Sequence, residues 1–206
     1  MRISQTMVSG LAAVAMLAVS VAGCGSKPTS STSTSGSATS ATSSRSSAPT
    51  SSAPAQPSDY ARLLIQATDI NAPEPFNASP PTNNPNGQPG VATTFSSQDG
   101  SHVIRDTIQV LADPAAATNA LNSAKAGQGN TIKDPQTESS NVGTDGTTLS
   151  GNSPDGSKGV TVLLFTEGRA FVTLEFDGPP GMLPPPDFVL DTGQKQDAAV
   201  KKGLGG

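Results

Sequence analysis

The chain has 206 residues, with 12 Lys and Arg against 16 Asp and Glu, a formal charge of −4 at pH 7, one His, one Cys and no Trp. A single Cys excludes a disulfide within the chain, and a single His excludes the paired histidines of most zinc sites. All sixteen acids lie at Asp59 or beyond, where they meet only nine bases; this net −7 argues against nucleic acid and against a domain lying flat on anionic lipid.

Arg2 precedes an apolar run over residues 7–21, which ends in Val21-Ala22-Gly23-Cys24. The run is about 15 residues, short of the roughly 20 that a transmembrane helix needs. A basic start, a short apolar stretch and small residues before a cut describe a secretory signal peptide, residues 1–23. A cysteine directly after the cut is the bacterial lipobox pattern, so Cys24 is expected to become the acylated N-terminus. Two or three acyl chains, at about 0.8 kcal/mol per buried methylene, anchor stably. The expected location is the extracytoplasmic side of the cell membrane, reached through lipid rather than a spanning helix.

Residues 24–57 are almost entirely Ser, Thr, Ala, Gly and Pro, broken by Lys27, Arg45 and Gln56. With no aromatic and no branched aliphatic side chain, such a segment cannot offset about 1–2 kcal/mol per residue of backbone ordering, and a disordered tether is predicted. Its random-coil reach is roughly 30 Å. Ser/Thr tracts interrupted by Pro are also the composition of O-glycosylated stalks.

Residues 58–206 hold all six Phe, Tyr60 and most of the branched aliphatics, enough for one domain. Ser58 as N-cap and Tyr60, Leu63, Leu64 and Ile65 at helical spacing predict a short helix to about Ala67. Six prolines and Asn86-Gly87 make residues 71–90 a long loop. Residues 91–95 and 101–112 read as strands joined by Gln98-Asp99-Gly100. Asp113-Pro114 then starts an alanine-rich helix over residues 115–126, stopped by Gly127. Residues 131–159 offer only a short strand at 147–149. Residues 159–166 and 169–177 form a hairpin around Glu167-Gly168, which pairs Phe165 with Ala170, Leu163 with Val172 and Thr161 with Leu174. After Pro184-Pro185-Pro186 a last helix carries Asp187 and Asp191 early, Lys201 and Lys202 late, and Gly203 as cap. Val189, Gln196 and Val200 form its buried stripe, and Gly193 marks close packing. The predicted fold class is α+β: an antiparallel sheet of four to five strands with two main helices on one face.

No catalytic constellation emerges. His102 is the lone imidazole, no G-x-S-x-G elbow surrounds any serine, and no metal-ligand spacing occurs. Glu175 and Asp177, on one strand face, are the close carboxylate pair that the sequence can place, and a solvated hairpin face explains them. The reading is a non-enzymatic protein with no metal and no cofactor. What remains is binding. On the outer hairpin face Val162, Leu164 and Phe171 form a semi-apolar patch, a candidate contact for a lipid ligand or an envelope protein partner. The bland alternative is that the last helix or the long loop covers them. The Pro-rich loops around Phe76 and Met182 are also unusually apolar.

Val21-Ala22-Gly23-Cys24 followed by the Ser/Thr/Pro tract resembles the cell-envelope lipoproteins of mycobacteria and relatives. The strand ending at Leu111, with Asp113-Pro114-Ala115-Ala116-Ala117 after it, is similar to the strand-to-helix step in extracellular sensor domains of actinobacterial lipoproteins and receptor kinases. The resemblance implies a membrane-anchored envelope lipoprotein with a sensor-like or accessory binding domain. A lipid or glycolipid carrier is the alternative and an envelope hydrolase a third. Only Cys24 carries a family role across.

Overall fold

Eight of the nine residues in the strand Gly159–Glu167 are buried, in one unbroken run from Gly159 to Thr166. Neighbouring strand residues point to opposite faces, so this sheet must be covered on both sides. The computed structural model describes residues 57–205. The expected signal peptide, Cys24 and all of the expected stalk except Pro57 lie outside the described residues.

The sheet comprises eight strands: β1 (Phe76–Ala78), β2 (Thr82–Asn83), β3 (Gly90–Ser97), β4 (Val103–Val110), β5 (Lys133–Ser139), β6 (Thr144–Asn152), β7 (Gly159–Glu167) and β8 (Ala170–Gly178). Their spatial order is β1-β3-β4-β8-β7-β6-β5, with β2 also paired to β3, and every pairing is antiparallel. Two α-helices, α1 (Pro114–Gly127) and α2 (Pro186–Leu204), follow β4 and β8. The four to five expected strands were therefore too few. β1 and β2 are three- and two-residue edge pieces, and in β5 only Pro135 is even partly buried. Without an inward-facing apolar set, none of them leaves an alternating pattern in the sequence.

The helices lie on opposite faces, not on one. α1 buries Ala117 and Leu121 against Val162, Leu164 and Phe171. α2 buries Val189 and Val200 in the larger core with Leu163, Phe165, Val172 and Leu174. Leu163 and Leu164 are consecutive in β7, so they serve different layers. The 3-10 helix Pro57–Leu63 adds Tyr60 and Leu63 to the α2 side, where a regular α-helix was expected.

The β7–β8 hairpin turns at Gly168-Arg169, one residue later than expected. Gly168 takes φ 55°, open to glycine without steric cost. Phe165 consequently pairs with Val172, Leu163 with Leu174 and Thr161 with Phe176. This offset of two in the partner keeps every side chain on its expected face. The start of α1 forms as its sequence signals: Asp113 Oδ1 accepts from the Ala116 N–H at 2.8 Å, with Pro114 in the first turn. α2 ends at Gly205 in the left-handed region, φ 83°, rather than at Gly203.

Candidate functional site: a cleft at one end of the sheet

β4 begins, β8 ends and α2 starts at the same end of the sheet, because Val103 pairs with Asp177. Residues 179–185 connect β8 to α2 there, and their chemistry keeps them out of both elements. Pro179 and Pro180 have no N–H to donate to a ladder. Gly181 turns with φ 72°, and its N–H donates to Asn152 Oδ1 at 3.1 Å. The Met182 N–H closes the turn on the Pro179 carbonyl at 3.0 Å. The Met182 carbonyl lies so near Gly159 that no Cβ fits there, and it would crowd a Cβ at Gly178 to 3.0 Å.

The result is a cleft of about 700 Å³ between this connection, the start of β4 and residues 71–76. Its apolar lining includes Phe76, Ile104, Phe176, Phe188, Met182 and Leu183. Phe176 and Phe188 meet edge to face, ring centroids 5.9 Å apart, so the end of the sheet and the first turn of α2 share one aromatic floor. Met182 is 59% and Leu183 46% exposed, the large hydrophobic side chains left open among the described residues. The Pro-rich loops around Phe76 and Met182, apolar in the sequence, thus come together at one site.

Val162, Leu164 and Phe171 are not part of it. At 0%, 0% and 4% exposure they are core beneath α1, and the contact surface expected there is closed. The covering element is α1 rather than the last helix or the long loop. No local signal in the alanine-rich segment after β4 marks its crossing to that face.

His102 reaches the cleft through the β3–β4 turn. Asp99 Oδ1 accepts from Ser97 Oγ (2.7 Å), Ser101 Oγ (2.9 Å) and the Ser101 N–H (3.0 Å). These bonds hold its carboxyl down at about 2, the Ser97 hydroxyl contributing most. Ser101 Oγ is also 2.9 Å from His102 Nδ1. A hydroxyl has one proton, and Asp99 takes it, so His102 Nδ1 is the donor.

An Asp, a Ser and a His in contact invite a catalytic interpretation, which the β6–β7 turn answers. There Asp155 Oδ1 accepts from Ser153 Oγ (2.6 Å), Ser157 Oγ (2.8 Å) and the Ser157 N–H (3.0 Å), with the carboxyl again near 2. Gly156 has φ 70° where Gly100 has 71°. The pattern Ser-x-Asp-Gly-Ser is a turn device used twice, followed by His102 in one copy and Lys158 in the other.

Glu175 and Asp177 lie on the α1 side of the sheet, at the end that helix leaves open. Arg105 Nη1 donates to Glu175 Oε1 at 2.6 Å and to Asp177 Oδ2 at 2.7 Å, and Lys158 Nζ reaches Asp177 Oδ2 at 2.7 Å. Burial raises the Glu175 carboxyl, helped by the charge of Asp177. Burial also pushes on Asp177, but hydrogen bonds from Lys158 and Arg105 outweigh it and hold that carboxyl below its usual value. Both carboxylates are engaged in ion pairs.

A second groove, about 960 Å³, runs between the 3-10 helices and α2. Its cation Lys195 is bonded to the Asp69 carbonyl and to Asp191, and Arg62 Nε to the Gly203 carbonyl. Among the described residues no group of three or more His, Cys, Asp or Glu could hold a metal ion. Nor is any described helix long and apolar enough to cross a membrane.

No known protein family matches the chain. No curated protein matches it either. Among solved structures it is similar to the extracellular domain of PknH from Mycobacterium tuberculosis, with a TM-score of 0.50 over 74% of this chain and 98% of that one. The two share a fold. At 8% identity the likeness is one of architecture, and it assigns no residue a role.

Proposed function

We propose that this protein is an envelope lipoprotein, anchored through Cys24 on the extracytoplasmic side of the membrane, whose domain binds a ligand or partner in the cleft at Phe176, Phe188, Met182 and Leu183. The role is sensor-like or accessory and non-enzymatic. The observation that carries the binding reading is the exposure of Met182 and Leu183 over an aromatic floor, in a domain whose other described large apolar side chains are buried or half-buried. The non-enzymatic reading is supported by the duplicate Ser-x-Asp-Gly-Ser turn, which accounts for the one Asp-Ser-His contact without catalysis. The Glu175–Asp177 pair, tied up by Arg105 and Lys158, supports it as well.

Nile red, a neutral apolar dye, tests the cleft. The full chain is expected to enhance its emission, and Met182→Ser with Leu183→Ser to abolish most of that enhancement while circular dichroism stays unchanged. Equal dye binding by the double variant would refute the site. For the anchor, Cys24→Ala protein is expected in the soluble fraction or left uncleaved, and unchanged membrane fractionation would refute it.

The runner-up is a lipid or glycolipid carrier, favoured by the apolar character of the same cleft. Native mass spectrometry after purification from the envelope separates the two, since a carrier retains a stoichiometric, solvent-extractable lipid.

A further inference from the structure

We infer that the cleft selects a small amphipathic cation: a molecule with an apolar body and an ammonium or guanidinium head. The inference rests on the binding reading above and adds the sign of charge that the site accepts.

The charged side chains lining the cleft are Glu74, Asp99 and Asp177, and neither Lys nor Arg lines it. The three carboxylates differ in what balances them. Asp177 is neutralised by Arg105 and Lys158. Asp99 is held by two serine hydroxyls and a backbone N–H, which fix its orientation and supply no positive charge. Glu74 forms no ion pair and no side-chain hydrogen bond among the described residues. Two uncompensated anions therefore stand at the rim of an apolar cleft.

His102 stands at the same rim, its Nδ1 turned to Ser101 Oγ at 2.9 Å and the edge of its ring beside Gly178. No Lys or Arg stands along this rim. An anionic head would meet repulsion from Glu74 and Asp99 and find neither Lys nor Arg to pair with. A cationic head finds two carboxylates, and its apolar body finds Phe76, Phe188 and Met182, with aromatic rings that also attract cations. A volume of about 700 Å³ suits a ligand of modest size and not a folded partner.

Octylammonium, octanoate and octanol share one chain and differ only in head charge, so calorimetric titration of each into the full chain reads the sign directly. Octylammonium is expected to bind about ten-fold more tightly than octanoate at low salt, a preference that shrinks as salt rises. Glu74→Gln is expected to weaken octylammonium about three- to five-fold and leave octanol unchanged. Glu74 has no internal partner to lose, so this variant folds. Asp99→Asn should add to the loss, with circular dichroism guarding against damage to the turn. Octanoate binding as tightly as octylammonium, or Glu74→Gln without effect, would overturn the charge preference. Octanol binding in that case keeps the cleft as a binding site. Failure of all three ligands together with Nile red would overturn the cleft itself.

Discussion

Gln196 on α2 clamps the backbone at Leu63: its Nε2 donates to the Leu63 carbonyl at 2.6 Å, while its Oε1 accepts from the Ile65 N–H at 3.1 Å. The side chain is fully buried and satisfies two main-chain groups that leave the 3-10 helix without a regular partner. Gln196→Leu would keep the volume and orphan both groups. Each buried, unpaired backbone group costs about 1–3 kcal/mol, so the variant is expected to lose about 2–4 kcal/mol in urea unfolding. A loss under about 0.5 kcal/mol would show that this segment detaches without consequence for the domain.

Asp106 presents the opposite situation. It sits on β4 with its side chain fully buried, and neither carboxylate oxygen has a hydrogen-bond partner. Its register neighbours are Thr93 and Leu174. Burial raises its carboxyl well above the model-compound value of 3.8, so the folded protein keeps the proton that the unfolded chain releases. Stability from this group is full below about 3.8 and falls as pH rises from there toward the raised folded value. Asp106→Asn removes that titration, and the difference in stability between wild type and variant should shift in the variant's favour as pH rises. Asp106→Leu should gain about 1–3 kcal/mol at neutral pH by removing an unpaired polar group. A wild type that gains on Asp106→Asn across the same rise would refute the buried-neutral assignment.

Much of this architecture was legible because particular residues signal it locally. Asp113-Pro114 started α1 where the chemistry of a helix N-terminus requires, and β7 and β8 announced themselves by apolar runs. Face assignments survived even the turn error at Gly168, since a two-residue offset preserves the pleat. What failed was relational. Nothing in Ala117 or Leu121 tells that α1 crosses to the face opposite α2, which is why Val162, Leu164 and Phe171 looked open. Edge strands β1, β2 and β5 bury little, so they carry no apolar period. The cleft was half visible, through Phe76 and Met182. Its remaining wall, Phe176 against Phe188, follows from α2 folding back at Pro186, a tertiary event without local signature.

At Gly193 α2 packs directly against β7. A Cβ there would run into Leu163 Cδ2 and come within 3.1 Å of Val142 Cγ2. In an exposed helix Gly→Ala gains up to about 1 kcal/mol, whereas forcing a methyl into a filled core costs about 1–3. Packing should win, and Gly193→Ala is expected to lower stability by about 1–2 kcal/mol. Thermal unfolding decides it: a raised melting temperature would mean that α2 has slack above Leu163.

Glu175 and Asp177, two residues apart and sharing Arg105, should respond in opposite directions to neutralisation. Asp177 is 6% exposed and takes hydrogen bonds from both Arg105 and Lys158, whereas Glu175 is 27% exposed and has Arg105 alone. The Asp177 carboxyl is held below its usual value, so its contribution is present above the unfolded value of 3.8 and lost as pH falls through the folded one. Glu175 is raised, so its ionised form is disfavoured by folding and its contribution declines as pH rises from 4.5. Asp177→Asn leaves Lys158 without its carboxylate and Arg105 with Glu175 alone, and because both cations are about half exposed the loss is expected at about 1–3 kcal/mol rather than that of a deeply buried pair. Glu175→Gln keeps the shape, removes the repulsion from Asp177, and should leave neutral-pH stability unchanged or slightly higher. Urea unfolding of the two variants side by side reads the sign of each, and equal losses would show that the two carboxylates act as one unit.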